Sequence, residues 1–206
     1  MSNAKNLKRL VDVAELRTGF TFRGKIEEVQ SGNAQVVQIK DVRQSQAVPG
    51  NDSLVLEHLP QILWEGRSNA FIEPNTVLLP SRGGYFRATF AADVDGKLPV
   101  VASSQFLLLT AKSSQVMPEF LCWSLNQPQM QRYIEEIASQ GSRMPMLSTA
   151  AARELTLEIP PLATQNKILR LNRLWVKEQQ LTQQLLKNRE HMLQGMYQQL
   201  LKEQIA

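Results

Sequence analysis

Beyond Pro160-Pro161 the chain runs to Ala206 with no further proline and with a single glycine, Gly195. Within it Leu171, Leu174, Leu181, Leu185, Met192, Met196 and Leu200 recur at steps of three, four and seven residues, with polar Glu178 and Arg189 in the gaps. Such positions share one face of a helix, so the spacing predicts one amphipathic helix. Trp175, Leu186, Leu193 and Tyr197 widen the stripe beyond a narrow two-stranded seam. About forty helical residues at a 1.5 Å rise span roughly 60 Å, more than a compact domain needs. Burial of an apolar face, rather than intrinsic propensity, is what stabilises a long helix in water. The stripe therefore requires a partner helix, most simply from a second copy of the chain. Leu174, Leu181, Leu185, Met192 and Met196 are the expected contacts of that homodimer.

Ahead of the prolines the pattern changes. Gln35–Val42 (QVVQIKDV) is β-branched and apolar, a strand candidate. Thr76–Leu79 (TVLL) reads as a buried strand running into Pro80-Ser81-Arg82-Gly83-Gly84, where the glycine pair signals a hairpin or tight loop. Pro49-Gly50 and Asp95-Gly96 mark turns, and Leu98–Leu109 supplies one or two strands. Pro118 opens a helix from its first turn, and Pro128 kinks or splits it. A short helical piece and the strand ELTLEI then lead to the prolines. Strands and helices do not alternate regularly, so the fold class is α+β with a mixed sheet, followed by one long coiled-coil helix. The predicted boundaries are 1–161 for the globular domain and 162–206 for the helix.

An apolar fraction of 43% and a charged fraction of 20% suit a globular chain with a real core. The net charge of +4 lies wholly in the helix, where seven basic residues from Thr164 onward face three acidic ones. Residues 1–163 balance, so bulk charge does not advertise nucleic-acid binding and any such site must be local. The single Cys122 excludes an intramolecular disulfide and sits in an apolar run, as a buried thiol in a reducing compartment would. No stretch approaches a signal peptide or a membrane span, which points to a cytoplasmic protein.

Catalytic readings fail on the residues they need. The Pro-Pro of IPPL is shared with DNA amino-methyltransferases. Those enzymes require an Asn, Asp or Ser before the prolines and an aromatic after them, where this chain has Ile159 and Leu162. Asp93-Val-Asp95-Gly96 lacks the remaining oxygen ligands of a calcium loop. His58 and His191 have no second ligand at metal-binding spacing, and Ser81-Arg82-Gly83-Gly84 lacks the Lys-Ser/Thr ending of a phosphate loop. No catalytic residue, metal site or cofactor is expected.

Three cationic clusters stand out instead. GFTFRGKI sets Arg23 and Lys25 beside Phe20 and Phe22. SRGGYFRATF sets Arg82 and Arg87 around Tyr85. QGSRMPM places Arg143 near Gln140 and Ser142. Arginine in a small-residue loop can fork onto guanine edges, while Lys, Ser and Gln suit phosphates or other bases. Taken singly, each cluster also fits ordinary loop cations around core aromatics.

Taken in order, these segments resemble the specificity subunits of type I restriction-modification systems. The matching stretches are Val13–Lys25 (VAELRTGFTFRGK), Val36–Val42, Val77–Gly83, Val100–Leu109, Pro118–Ile134 and Leu155–Ile168. The resemblance implies a target recognition domain followed by one spacer helix. Full-length members carry two such units, with their helices antiparallel as a ruler between two DNA half-sites. A chain with one unit would pair with a copy of itself and read an inverted repeat of double-stranded DNA. The resemblance also implies two partners: a modification (methyltransferase) subunit and a restriction subunit. Residue chemistry selects Arg82, Tyr85, Arg87 and Arg143 as DNA contacts, with Lys40 and Arg43 next, and Gly19, Gly24 and Gly83 as backbone-geometry positions. The alternative is a coiled-coil adaptor with a degenerate recognition domain that binds proteins without reading sequence.

Overall fold

A computed structural model describes residues 6–46, 52–92, 98–112, 114–139 and 144–203. The turns expected at Pro49-Gly50 and Asp95-Gly96 lie outside the described residues, as do Gln140, Ser142 and Arg143. The chain divides into two compact units, residues 1–169 and 170–206.

The first unit is α+β, as expected, and is built around a four-stranded sheet. Its strands are β2 (Ala14–Thr18), β5 (Thr76–Pro80), β6 (Thr89–Ala91) and β8 (Phe106–Ala111), in the order β2-β8-β5-β6. Every neighbouring pair is antiparallel, with Leu79 opposite Leu107 and Leu78 opposite Leu108. Side chains alternate across a strand, and here both faces are covered. Val77, Leu79, Leu107 and Leu109 enter one core. Leu78, Leu108 and Phe106 enter another on the opposite face. That double burial explains why TVLL and FLLL are continuous apolar runs rather than alternating ones.

The first core is roofed by helices: α1 (Leu10–Val13), α3 (Pro118–Leu125), α4 (Pro128–Ser139) and α5 (Thr149–Arg153). Pro118 occupies the first turn of α3, and Pro128 starts α4, so the expected helix is split in two. The second core is closed by a three-stranded sheet of β3 (Ala34–Val37), β4 (Gln61–Ile62) and β7 (Val100–Ala102), in which β3 and β7 run parallel. Leu98–Leu109 thus supplies two strands, one to each larger sheet.

QVVQIKDV departs from its expected form. Strand β3 ends at Val37, and α2 (Ile39–Ser45) begins immediately. The cause is a capping box: Gln38 N–H donates to the Asp41 carboxylate at 2.8 Å while the Gln38 side chain receives the Asp41 N–H. Burial raises the Asp41 pKa against the lowering effect of that bond. Two orphan donors satisfied together outweigh the β preference of the sequence around them.

Strand β1 (Leu7–Arg9) pairs antiparallel with β9 (Thr156–Glu158), tying the start of the unit to its end. Helix α6 then runs from Leu162 to Glu203. Its opening turns belong to the first unit, where Leu169 and Gln165 are buried, so the compact boundary falls eight residues beyond the prolines that mark it in the sequence. In the second unit, Leu171, Leu174, Trp175, Leu181, Leu185, Leu186, Met192, Leu193, Met196, Tyr197, Leu200 and Leu201 are all exposed.

Of the glycines expected to serve backbone geometry, Gly19 does so by close approach. A Cβ there would stand 2.2 Å from the Ser103 carbonyl oxygen. Gly83 does so through a left-handed φ of +94°, followed by Gly84 at +68°. Gly24 has open space around it and no positive φ, so nothing local requires a glycine there.

Candidate nucleic-acid interface

Strand β5 delivers the chain into the loop Ser81–Ala88, which returns as β6. The loop is held from three directions. Gly83 N–H donates to the Pro145 carbonyl at 3.3 Å, and Leu147 N–H to the Ser81 carbonyl at 2.9 Å, so Arg82 pairs across to Met146. Asn126, at the end of α3, meets both main-chain groups of Ala88: its oxygen accepts the N–H at 2.7 Å and its nitrogen donates to the carbonyl at 2.9 Å. Gln131 of α4 donates to the Phe86 carbonyl at 3.1 Å, and the Phe86 ring is buried in the core. The loop is therefore fixed, while Arg82, Gly83 and Gly84 stay exposed at its tip.

The C-terminal turn of α2 lies against this loop. The Arg43 guanidinium carbon sits 5.4 Å from the centre of the Tyr85 ring, within cation–π range. Tyr85 donates its hydroxyl hydrogen to Gln46 Oε1 at 2.7 Å. The Gln46 amide nitrogen donates to Thr89 Oγ1 at 2.8 Å and to the Ala88 carbonyl at 3.1 Å. Arg43, Arg82 and Tyr85 are thus brought together around the glycine pair.

Two other expected contacts have partners of their own. Arg87 Nε donates to Asp52 Oδ1 at 2.7 Å in a half-buried ion pair. Burial pulls the Arg87 pKa down, but the hydrogen bond and charge of Asp52 outweigh it and leave the guanidinium above its ordinary value. Lys40 is bound to Glu28, and that bond raises its pKa. Arg143 lies outside the described residues. Arg23 and Lys25 are exposed, and the aromatics beside them join a cluster in which Phe20 packs edge-on to Phe22 at 5.1 Å and to Trp64 at 4.8 Å. Gln46 and Asp52 are the residues that sequence reasoning missed. Each acts on a side chain more than thirty positions away, and no local pattern announces such a pairing.

Among the described residues no group of three or more His, Cys, Asp or Glu side chains is placed to hold a metal ion. His58 and His191 are both exposed. Cys122 is fully buried in α3, and burial pushes its pKa well up. No helix among the described residues is long and apolar enough to cross a membrane.

The double-cored α+β unit has the fold of type I specificity subunits. The S subunit from M. genitalium superposes with a TM-score of 0.52 at 15% identity, over 84% of this chain and 40% of that one. The HsdS subunit from Thermoanaerobacter tengcongensis gives 0.56 at 15%, over 87% and 39%. A chain of a type I R-M system, solved for its complex assembly and conformational transition, gives 0.59 at 14%, over 86% and 40%. At these identities the likeness is one of fold, and the chain spans about 40% of the length of those subunits. No protein of curated function matches it in sequence. The family description "Type I restriction modification DNA specificity domain" matches residues 3–187, and the chain belongs to that family. The family is the DNA-recognition component of restriction-modification complexes, not a catalytic one.

Proposed function

We propose that this chain binds one half-site of a bipartite DNA target through the Ser81–Ala88 loop and the end of α2. Arg43, Arg82 and Tyr85 form the DNA-facing group. Arg87 and Lys40 support it from their ion pairs, and Arg143 adds a further contact. The observation that carries this reading is the meeting of Arg43, Arg82 and Tyr85 at one exposed, left-handed glycine turn, in a chain of the DNA-specificity family.

Two copies pair antiparallel through Leu174, Leu181, Leu185, Met192 and Met196, burying stripes that are exposed in the single chain. A symmetric pair would read an inverted repeat, with helix length setting the gap between half-sites. The pair then recruits a modification subunit and a restriction subunit, acting in the cytoplasm.

The test is a salt titration of binding to random and to selected duplexes, with and without the modification subunit. Phosphate contacts alone lose affinity equally on all sequences as salt rises. A specificity subunit retains a sequence-dependent preference of about a thousandfold or more at physiological salt. Equal affinity for every duplex under all these conditions would rule the reading out and favour a protein-binding adaptor.

A further inference from the structure

We propose that Arg43 is the guanine-reading residue of this unit, and that Tyr85 and Gln46 are its positioning residues. The inference rests on the DNA-binding reading above and assigns the work within it.

The five arginines and lysines of the candidate interface are not equivalent. Lys40 and Arg87 each hold a carboxylate, Glu28 and Asp52. Among the described residues no carboxylate is paired with Arg43. An exposed arginine without a counter-ion is ordinarily mobile. Arg43 is instead laid against the Tyr85 ring.

That ring is itself fixed. Gln46 lies one helical turn after Arg43, so both reach the same neighbour. An amide can be turned either way round, but the Gln46 nitrogen faces two acceptors, Thr89 Oγ1 and the Ala88 carbonyl. Its oxygen must then face Tyr85, and the Tyr85 hydroxyl must be the donor. Ala88 is held in turn by Asn126. A chain of hydrogen bonds therefore runs from the core to the hydroxyl and sets the platform on which the guanidinium rests.

Arg43 is exposed beside the ring. A guanidinium interacts with a ring through its flat face, while its N–H groups point outward in the plane as a fork. Gly83 offers no side chain to cover that fork; even an added Cβ there would stand 4.0 Å from Arg43 Nη2. A planar, two-pronged donor matches the O6 and N7 acceptors of guanine in the major groove. Fixing it beforehand lowers the ordering cost of binding.

The experiment selects duplexes from a random library with the full chain, then replaces the selected guanine by 7-deazaguanine, which lacks the N7 acceptor. Wild type should select a guanine in each half-site and lose about tenfold in affinity on the 7-deaza duplex. Arg43→Ala should bind both duplexes equally. Arg43→Lys should keep the non-specific affinity and lose the discrimination. Tyr85→Leu and Gln46→Leu should weaken the guanine preference several-fold while thermal unfolding shows the domain still folded, and Tyr85→Phe should fall between them and wild type. A consensus without guanine, or an Arg43→Ala variant with unchanged consensus and 7-deaza sensitivity, overturns the assignment but leaves DNA reading intact. Failure of wild type to select any sequence, both alone and with the modification subunit present, overturns both.

Discussion

The side-chain oxygen of Gln165 accepts the main-chain N–H of Met117 at 2.9 Å. The same side chain donates to the Gln115 and Pro160 carbonyls, each at 2.7 Å, and is fully buried. One residue of the Pro-Pro-Leu-x-x-Gln stretch thus satisfies three backbone groups and locks the first turn of α6 to the chain entering α3.

Gln165→Leu would leave those three groups buried without partners. Unmade buried hydrogen bonds cost about 1–3 kcal/mol per group, less where water can enter. The expected loss is about 3 kcal/mol, read as a lower urea midpoint with unchanged slope. A loss under about 1 kcal/mol would show that the bonds are not what holds this junction.

The Arg87–Asp52 pair is half-buried, so its worth lies between that of a surface bridge and a desolvated one. A double-mutant cycle with Arg87→Ala and Asp52→Asn should give a coupling of about 1 kcal/mol. Coupling near zero would mean that Asp52 does not restrain Arg87 in solution.

Cys122 gives a pH signature. Burial raises its folded pKa, whereas the unfolded thiol ionises at about 8.5. A group with a raised folded pKa stabilises fully below the unfolded value, and its contribution fades as pH rises toward the folded one. Stability should therefore fall by about 1.4 kcal/mol per pH unit above roughly pH 8.5. In Cys122→Ala that extra slope should be absent. Thiol-specific labelling of the native protein at pH 8 should proceed only as fast as unfolding exposes the sulfur.

For the helix, Leu181→Glu combined with Leu185→Glu should halve the mass seen by light scattering. It should also lower the helical circular dichroism signal, because an unpaired helix of this length is poorly stabilised. The unfolding transition of residues 1–169 should persist. A mass equal to that of wild type would exclude these two leucines as the contact.

How far the sequence could be read depended on the range of the cause. The long helix, the split at Pro128 and the buried strand at Thr76–Leu79 arise from spacing or proline chemistry within a few residues, and all were legible. Helix α2 was not, because its capping box hides inside a β-branched run where Gln38 and Asp41 look like ordinary strand residues. The apolar run FLLL announced a strand but not that its alternate side chains serve different cores. At the candidate site, residue chemistry pointed to Arg82, Tyr85 and Arg87. It ranked Arg43 lower and overlooked Gln46, since their meeting with Tyr85 joins segments some forty positions apart.

Among the described residues, strand β1 pairs with β9, nearly the whole first unit later in the chain. During synthesis the first strand must wait for the last, and closing so large a loop comes at an entropic cost that grows only slowly with its length. The greasy face of α6 leaves the ribosome directly afterwards. Closure of this strand pair and emergence of the apolar face of α6 are therefore successive moments of one translation event, so the cores of residues 1–169 can form before the exposed stripe is available.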